Sequence, residues 1–208
     1  MTRYEELARL GSATVYEGGG RGLFVNAELI QLIPGSRVAG PARTVSCGQN
    51  DNLMVHAAME RVAPGDVLVL SMPLPEPVAL FGGLLATQAR ARGAAAVLVD
   101  GSVRDVEELA ELGPPTWARW VRIRGAAKAE VGALDVPVDV GGAVIRPGDA
   151  VVLDADGVAV VEAERLDEVI AGALEREEKE RVKGEKLAGD ALSYDLDGLR
   201  ARVEGQEG

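Results

Sequence analysis

Apolar positions along the chain recur with two periods, and the switches between them mark out its elements. Residues 3–10 carry a helical pattern, and residues 26–30 suggest a second short helical turn after the glycine-rich stretch YEGGGRG. VAGPARTVSC reads as a strand over 38–47, interrupted at Gly40 and Pro41. Asn50 or Asp51 then caps a predicted helix running to Arg61, with Leu53, Met54, Ala57 and Ala58 on one face. The run APGD ends it, and 67–70 is a short, wholly apolar run of the kind buried on both faces of a sheet. After the loop MPLPEP the pattern is at its most regular. A helix over 82–92 stops at Gly93 and leads into the strand AAAVLV, ending at Val99, which makes an αβ unit.

DGSVRD turns the chain into another helix that ends near Leu112, before Gly113 and two prolines. Short strands are predicted at 116–120, 136–140, 150–153 and 158–161, the later ones separated by the turns IRPGD and DADG. From Ala163 the period returns to helical, with Leu166, Val169, Ile170, Ala173 and Leu174 on one face. Its continuation, EREEKERVKGEK, is polar nearly all round, as expected of a segment that projects into solvent or lies on another subunit.

Composition narrows the picture to one soluble α/β domain with a tail. Apolar residues make up 47% of the chain but aromatics only 3%, so the core must be built from small and aliphatic side chains. A net charge of −11 repels a phosphate backbone, which argues against nucleic acid as a ligand. No window is apolar enough for a membrane span, and the start MTRYEELARLG lacks the apolar stretch of a signal peptide, so no membrane partner and a cytoplasmic location are expected. Cys47 is the sole cysteine, read as a buried small hydrophobe.

Two stretches offer chemistry. In FGGLLATQ, glycines at a helix start leave the N–H groups of Gly82, Gly83, Leu84 and Leu85 without intrahelical partners, a setting that suits a carboxylate. The same glycines equally serve close packing of helix on sheet. In VDGSVRD, at the carboxyl end of a buried strand, Arg104 provides a planar fork for an anion and Asp105 a hard oxygen for magnesium or manganese. Asp105 with Glu108 three residues on also reads as a capping pair for the next helix. His56, the only histidine, is read as a helix-surface residue, which excludes a two-histidine metal site. Lys128, the only lysine before the C-terminal helix, shows no sign of the burial a Schiff-base lysine needs. EGGGRG over 17–22 has the wrong spacing for a nucleotide fingerprint and is expected to be a mobile loop.

The run GGLLATQARARGAAAVLVDGSVRDVEEL resembles the signature region of the 4-hydroxy-4-methyl-2-oxoglutarate aldolase family, which includes 4-carboxy-4-hydroxy-2-oxoadipate aldolases and the regulator of ribonuclease E activity. NDNLMVHAAMERVAPGDVLV upstream and VPVDVGGAVIRPGDAVVLDADGVAVV downstream are similar in style. The resemblance implies a β/β/α sandwich of the swivelling-domain type over residues 1–162, with a C-terminal helix and tail over 163–208 packing on a neighbouring subunit of a homotrimer or homohexamer. It implies a 2-oxo acid substrate, with Gly82 to Leu85 donating to the pyruvyl carboxylate, Arg104 binding substrate, and Asp105 holding Mg²⁺ or Mn²⁺. Glu108 matches an acidic position of the family. Many of its aldolases carry a carboxylate where Gly83 stands, so the group that moves protons is open, and Glu180 or Glu177 from a neighbouring subunit's helix could supply it. The implied reaction is cleavage of 4-hydroxy-2-oxo acids to pyruvate and a second oxo acid, with oxaloacetate decarboxylation by the same site. A rival reading is a ribonuclease E inhibitor without catalysis. A third, a menaquinone-pathway methyltransferase, fits poorly because no glycine-rich loop follows a first strand.

Overall fold

A computed structural model describes residues 1–205. Its strands are β1 (Leu23–Phe24), β2 (Ile30–Gln31), β3 (Val38–Ser46), β4 (Val67–Ser71), β5 (Ala79–Phe81), β6 (Ala96–Val103), β7 (Thr116–Val121), β8 (Ala133–Leu134), β9 (Val138–Val140), β10 (Ala143–Ile145), β11 (Ala150–Leu153) and β12 (Val158–Val161). The helices are α1 (Arg3–Leu10), α2 (Ser12–Gly18), α3 (Leu53–Ala58), α4 (Gly83–Ala91), α5 (Val106–Leu112), α6 (Leu166–Ala188), α7 (Ser193–Leu196) and α8 (Leu199–Glu204). No helix among these residues is long and apolar enough to cross a membrane.

Strand β3 is the hinge of the architecture. Its first half pairs antiparallel with β11, from Val38 opposite Leu153 to Pro41 opposite Ala150. Its second half pairs parallel with β4, from Ala42 to Ser46. Gly40 and Pro41, which read as an interruption, sit where the strand changes partners: Pro41 lacks the N–H that a continued ladder would use. A Cβ on Gly40 would meet the Gly65 carbonyl oxygen at 2.2 Å, so the close approach of the APGD turn requires glycine there. On one side of β3 lie parallel β4, β6 and β7; on the other, antiparallel β11, β12 and β1.

The two halves stack because each strand alternates. Val67 and Val69 of β4, with Ala96 and Leu98 of β6, face Val151, Leu153, Val158 and Val160 across a shared core that also takes Trp117 and Ile145. The alternate residues Leu68, Leu70, Val97 and Val99 face α3, α4 and α5 through Val55, Leu85, Ala89 and Leu109. That is the expected β/β/α sandwich. A further helical layer covers the outer face of β11 and β12, where Val152 and Ala159 meet Leu7 of α1, Val15 of α2, and Val169 and Ala173 of α6. The Asp154 carboxylate anchors this layer by accepting from the Ser12 N–H at 2.7 Å and the Ser12 hydroxyl at 2.6 Å. Beyond Ala173, α6 is largely exposed and laced with ion pairs such as Lys179–Glu175 and Arg181–Glu178.

Four expectations are corrected. Residues 26–30 form no helical turn; the chain is extended there and enters β2, which pairs with β7. The stretch 17–22 is not wholly loop, because α2 runs through Gly18 with its glycine packed on Gly172 of α6. The strand ending expected at Val99 lies four residues later. Asp100 and Gly101 look like a turn pair, yet β6 passes through them with an irregularity in register and pairs again at Ser102 and Val103 with both β5 and β7. Buried Asp100 is accommodated by its ion pair with Arg119 of β7. The helix starting near 50 is also shorter than expected, ending at Ala58.

Candidate active site

The extra length of β6 sets the site. It delivers Val103 to the sheet's carboxyl edge, so Arg104 and Asp105 leave the last strand residue directly into the cleft beside the start of α4. The Arg104 N–H donates to the Phe81 carbonyl at 3.1 Å, locking this exit to β5. Asp105 then adopts left-handed backbone angles, φ 58° and ψ 47°, an unfavourable region for a residue other than glycine.

That backbone turn removes the capping reading of Asp105. Its carboxylate makes no capping bond to its own helix α5. Instead Oδ2 accepts the N–H of Gly83, at the start of α4, at 3.1 Å, with the Arg104 Nε 3.5 Å away. Asp105 therefore stands between two helix starts, and among the described residues its other carboxylate oxygen has no hydrogen-bond partner. The first intrahelical bond of α4 runs from the Ala86 N–H to the Gly82 carbonyl, so among the described residues the N–H groups of Leu84 and Leu85 have no partner.

Three glycines make room for three side chains. A Cβ on Gly82 would lie 2.7 Å from Oδ2 of Asp105 and 3.1 Å from Cγ of Arg104. A Cβ on Gly125 would lie 2.7 Å from Nη1 of Arg104. A Cβ on Gly83 would lie 1.9 Å from Oε2 of Glu108, so the Glu108 carboxylate occupies the space that a side chain at position 83 would fill. Gly82 has an extended backbone that any residue could adopt, so space and not conformation selects it.

The cleft encloses about 350 Å³ and is lined by Gly82, Arg104, Asp105, Glu108 and Gly125 together with Asn52, His56, Phe81, Leu84, Leu85 and Lys128. The structure thus brings together Arg104, Asp105, Glu108 and the 82–85 backbone. Glu180 and Glu177 lie elsewhere in the same chain. Glu180 pairs with Arg176 at 2.6 Å, and Glu177 takes both oxygens to Arg9 at 2.6 and 2.8 Å.

His56 and Lys128 flank the cleft although sequence reasoning gave neither a place in it. His56 is exposed on α3, as expected, but on the side facing the cleft. Partial burial first, and then the nearby Lys128 ammonium, hold its imidazole below the ordinary histidine value. Asn52 was missed altogether. Its Nδ2 donates to the Leu80 carbonyl at 3.0 Å, while Oδ1 is buried without a donor. A short asparagine-rich run before a helix signals a cap, and only the fold shows that this one also walls a cleft.

Fold and site together define a β/β/α sandwich with an arginine, two carboxylates and free backbone donors at the carboxyl edge of its parallel strands. The chain belongs to the RraA-like family, described as Aldolase/RraA, whose model matches residues 13–160. A Halalkalibacterium halodurans protein named "Putative 4-hydroxy-4-methyl-2-oxoglutarate aldolase" is 33% identical over 168 residues, covering 81% of this chain and 78% of that one. A Burkholderia mallei protein of the same name is 42% identical over 124 residues, 60% of this chain and 74% of the other. Among solved structures, Streptomyces coelicolor RraAS2, described as an unusual member of the RNase ES inhibitor RraA protein family, matches with a TM-score of 0.77 at 32% identity, over 87% of this chain and 94% of that one.

Proposed function

We propose that this chain is a divalent-cation-dependent carbon–carbon lyase. Its substrates are 4-hydroxy-2-oxo acids, such as 4-hydroxy-4-methyl-2-oxoglutarate or 4-carboxy-4-hydroxy-2-oxoadipate, cleaved to pyruvate and a second oxo acid, and it also decarboxylates oxaloacetate. The observation that carries this reading is the convergence of Arg104, Asp105 and Glu108 on the unpaired N–H groups of Leu84 and Leu85. The names of the two relatives support it.

The donor set fits magnesium or manganese. Among the described residues no three His, Cys, Asp or Glu side chains cluster, so the chain forms no closed protein cage of the zinc kind. A small hard cation is instead held by one or two carboxylates, with water and substrate completing its shell. Asp105 is the residue that would hold it. When bound, such a cation supplies Lewis acidity at the 2-oxo group of the substrate.

The protein groups do the rest. The N–H groups of Leu84 and Leu85 donate to the pyruvyl carboxylate, aided by the positive end of α4. Arg104 donates to the oxygen on which negative charge develops as the carbon–carbon bond breaks, and so acts mainly in the transition state. Glu108, filling the space beside Gly83, would take the proton of the 4-hydroxyl through water as the carbon–carbon bond breaks and return it to carbon 3 of the pyruvyl half. With the developing charge met by Arg104 and the cation, this route requires no lysine nucleophile. A Glu180 or Glu177 from a neighbouring copy in a trimer or hexamer would add a third carboxylate.

Pyruvate release from 4-hydroxy-4-methyl-2-oxoglutarate and from oxaloacetate tests this reading. Turnover that needs Mg²⁺ or Mn²⁺ and drops roughly 100-fold or more in Arg104→Ala is expected. Full activity in Arg104→Ala, or a substrate adduct trapped on Lys128 by borohydride, would overturn it.

A further inference from the structure

Strand β6 reaches the cleft only by way of a bulge. Before it, the ladder with β7 matches Val97 to Thr116, Leu98 to Trp117 and Val99 to Ala118; beyond it, Ser102 faces Trp120 and Val103 faces Val121. Two residues of β6, Asp100 and Gly101, thus stand opposite one residue of β7, Arg119.

The extra residue decides which face each later side chain takes. Val99 and Val103 both lie in the core beneath α3, α4 and α5, opposite Ala118 and Val121, which pack there too. In an unbroken ladder Ser102 would oppose Val121. Strand alternation would then send Ser102 into that core and turn Val103 and Arg104 each to the opposite face. With the bulge in place, three backbone bonds fasten the strand end. The Ser102 N–H donates to the Val78 carbonyl at 3.1 Å, the Arg104 N–H to the Phe81 carbonyl at 3.1 Å, and the Arg122 N–H to the Val103 carbonyl at 3.0 Å.

A charge pair sits on the bulge itself. The Arg119 Nε donates to Oδ1 of Asp100. Asp100 is 2% exposed, and the Arg119 side chain is largely buried. Both line a separate cavity of about 460 Å³ with Ser46, Ser71 and Asp139, and neither lines the cleft around Arg104. Ser102 is fully buried and its Oγ meets no partner among the described residues, so it gives the bulge no polar tie. Burial pushes the Asp100 carboxyl up against the pull of Arg119, and Asp139 adds to the push. Two apolar side chains of similar volume would fill this space at least as favourably, so stability does not account for the pair. What a cross-strand pair adds is register, because it forms only when Asp100 stands opposite Arg119.

We infer that Asp100 and Arg119 are positioning residues that lock the β6 bulge and so set the direction in which Arg104 and Asp105 enter the cleft. The roles of Arg104 and Asp105 are those of the lyase reading, on which this rests. Neither member of the pair touches substrate.

A double variant, Asp100→Leu with Arg119→Met, separates register from stability. Its urea midpoint should stay near that of the wild type because no charge is left buried, whereas Arg119→Met alone strands a carboxylate and lowers it. Hydrogen–deuterium exchange of the double variant, read without substrate or cation, should quicken about 10-fold or more at the amides of Ser102 and Arg104 and stay unchanged at Val97. Asp100→Asn, which keeps the volume and drops the charge, should give the same pattern if the double variant folds poorly. In pyruvate release at saturating Mg²⁺, kcat of the double variant should fall about 10-fold or more, with KM moving less than about 3-fold. KM is spared because the N–H groups proposed to hold the pyruvyl carboxylate lie on α4, not on β6. Arg119→Lys, which can still pair with Asp100, should retain most of the kcat. Parental exchange at Ser102 and Arg104, or a parental kcat in the double variant, would overturn the lock. A rise in exchange that includes Val97 would also overturn it, by marking the pair as stabilising only. A wild type that releases no pyruvate would overturn the lyase reading instead, and the exchange pattern then decides the lock by itself.

Discussion

At the scale of single residues, the site depends on absences as much as on side chains. Gly82 and Gly83 give up volume to Asp105 and Glu108, and their replacement tests that arrangement without touching a charge. Gly83→Ala should push the Glu108 carboxylate aside and lower kcat by about 10-fold or more, since displacement of a reacting group by an ångström is costly. Stopped or steady-state pyruvate release reads this, and a parental kcat would contradict the placement of Glu108. His56 gives a second, optical-quality probe, because one histidine gives one resolved imidazole titration by NMR. Its folded pKa lies below the ordinary value, so protonation is opposed by the fold, and this contribution to stability is full above the ordinary histidine value and lost as pH falls from there through the lower folded value. Removing the charge in Lys128→Met should raise the pKa; no change would mean the ammonium lies elsewhere. Cys47 is buried, and burial, with Asp51 nearby, pushes its thiol up to about 12. It should resist thiol reagents at pH 8 in the native protein and react once the chain is unfolded.

Arg104 and Asp105 were legible as a cationic fork beside a hard oxygen at a strand end. The capping reading of Asp105 was also reasonable, because an aspartate followed three residues later by a glutamate has that pattern. What it lacked was the left-handed turn at Asp105, imposed where β6 runs on past Asp100 and Gly101, which aims the carboxylate at α4 instead of α5. Lys128 and His56, 72 positions apart, meet only through the loop stitching of residues 125–130, which no local pattern encodes.

At the scale of elements, long periodic segments were readable and short edge strands were not. The apolar strands over 150–153 and 158–161 fall where the turns IRPGD and DADG set them off, and α4 ends at the turn before Gly93, whose φ is 84°. β1, β2 and β8 are two residues each, defined by their partners and carrying no period of their own. The crossing of α2 on α6 was hidden for the same reason. It is set by two glycines: a Cβ on Gly172 would meet the Gly18 carbonyl oxygen at 2.3 Å, and one on Gly18 would meet Ala173 Cα at 2.5 Å. Gly172→Val should destabilise the fold by about 1–3 kcal/mol through overpacking, despite the better helix propensity of valine. A shift of the urea midpoint checks this, and an unchanged midpoint would show that α6 can move away from α2 freely.

At the scale of the molecule, the layers explain why function gathers where it does. The parallel half of the sheet is covered by α3, α4 and α5, and the strand ends β5 and β6 open between α4 and the loop at 125–130. The antiparallel half and its helices contribute none of the cleft's lining among the described residues. The outer stretch of α6 with α7 and α8 presents half-exposed Leu187, Leu192, Leu196 and Val203, a surface that assembly into a trimer or hexamer would cover. The central claim is that Asp105 holds a cation on which lyase chemistry depends. The most direct test is calorimetric titration of Mn²⁺ into wild type and Asp105→Asn, paired with pyruvate release before and after EDTA treatment. The account predicts saturable Mn²⁺ binding and cation-restored turnover in the wild type, with both lost in the variant; equal Mn²⁺ binding by the variant, or turnover untouched by EDTA, would contradict it.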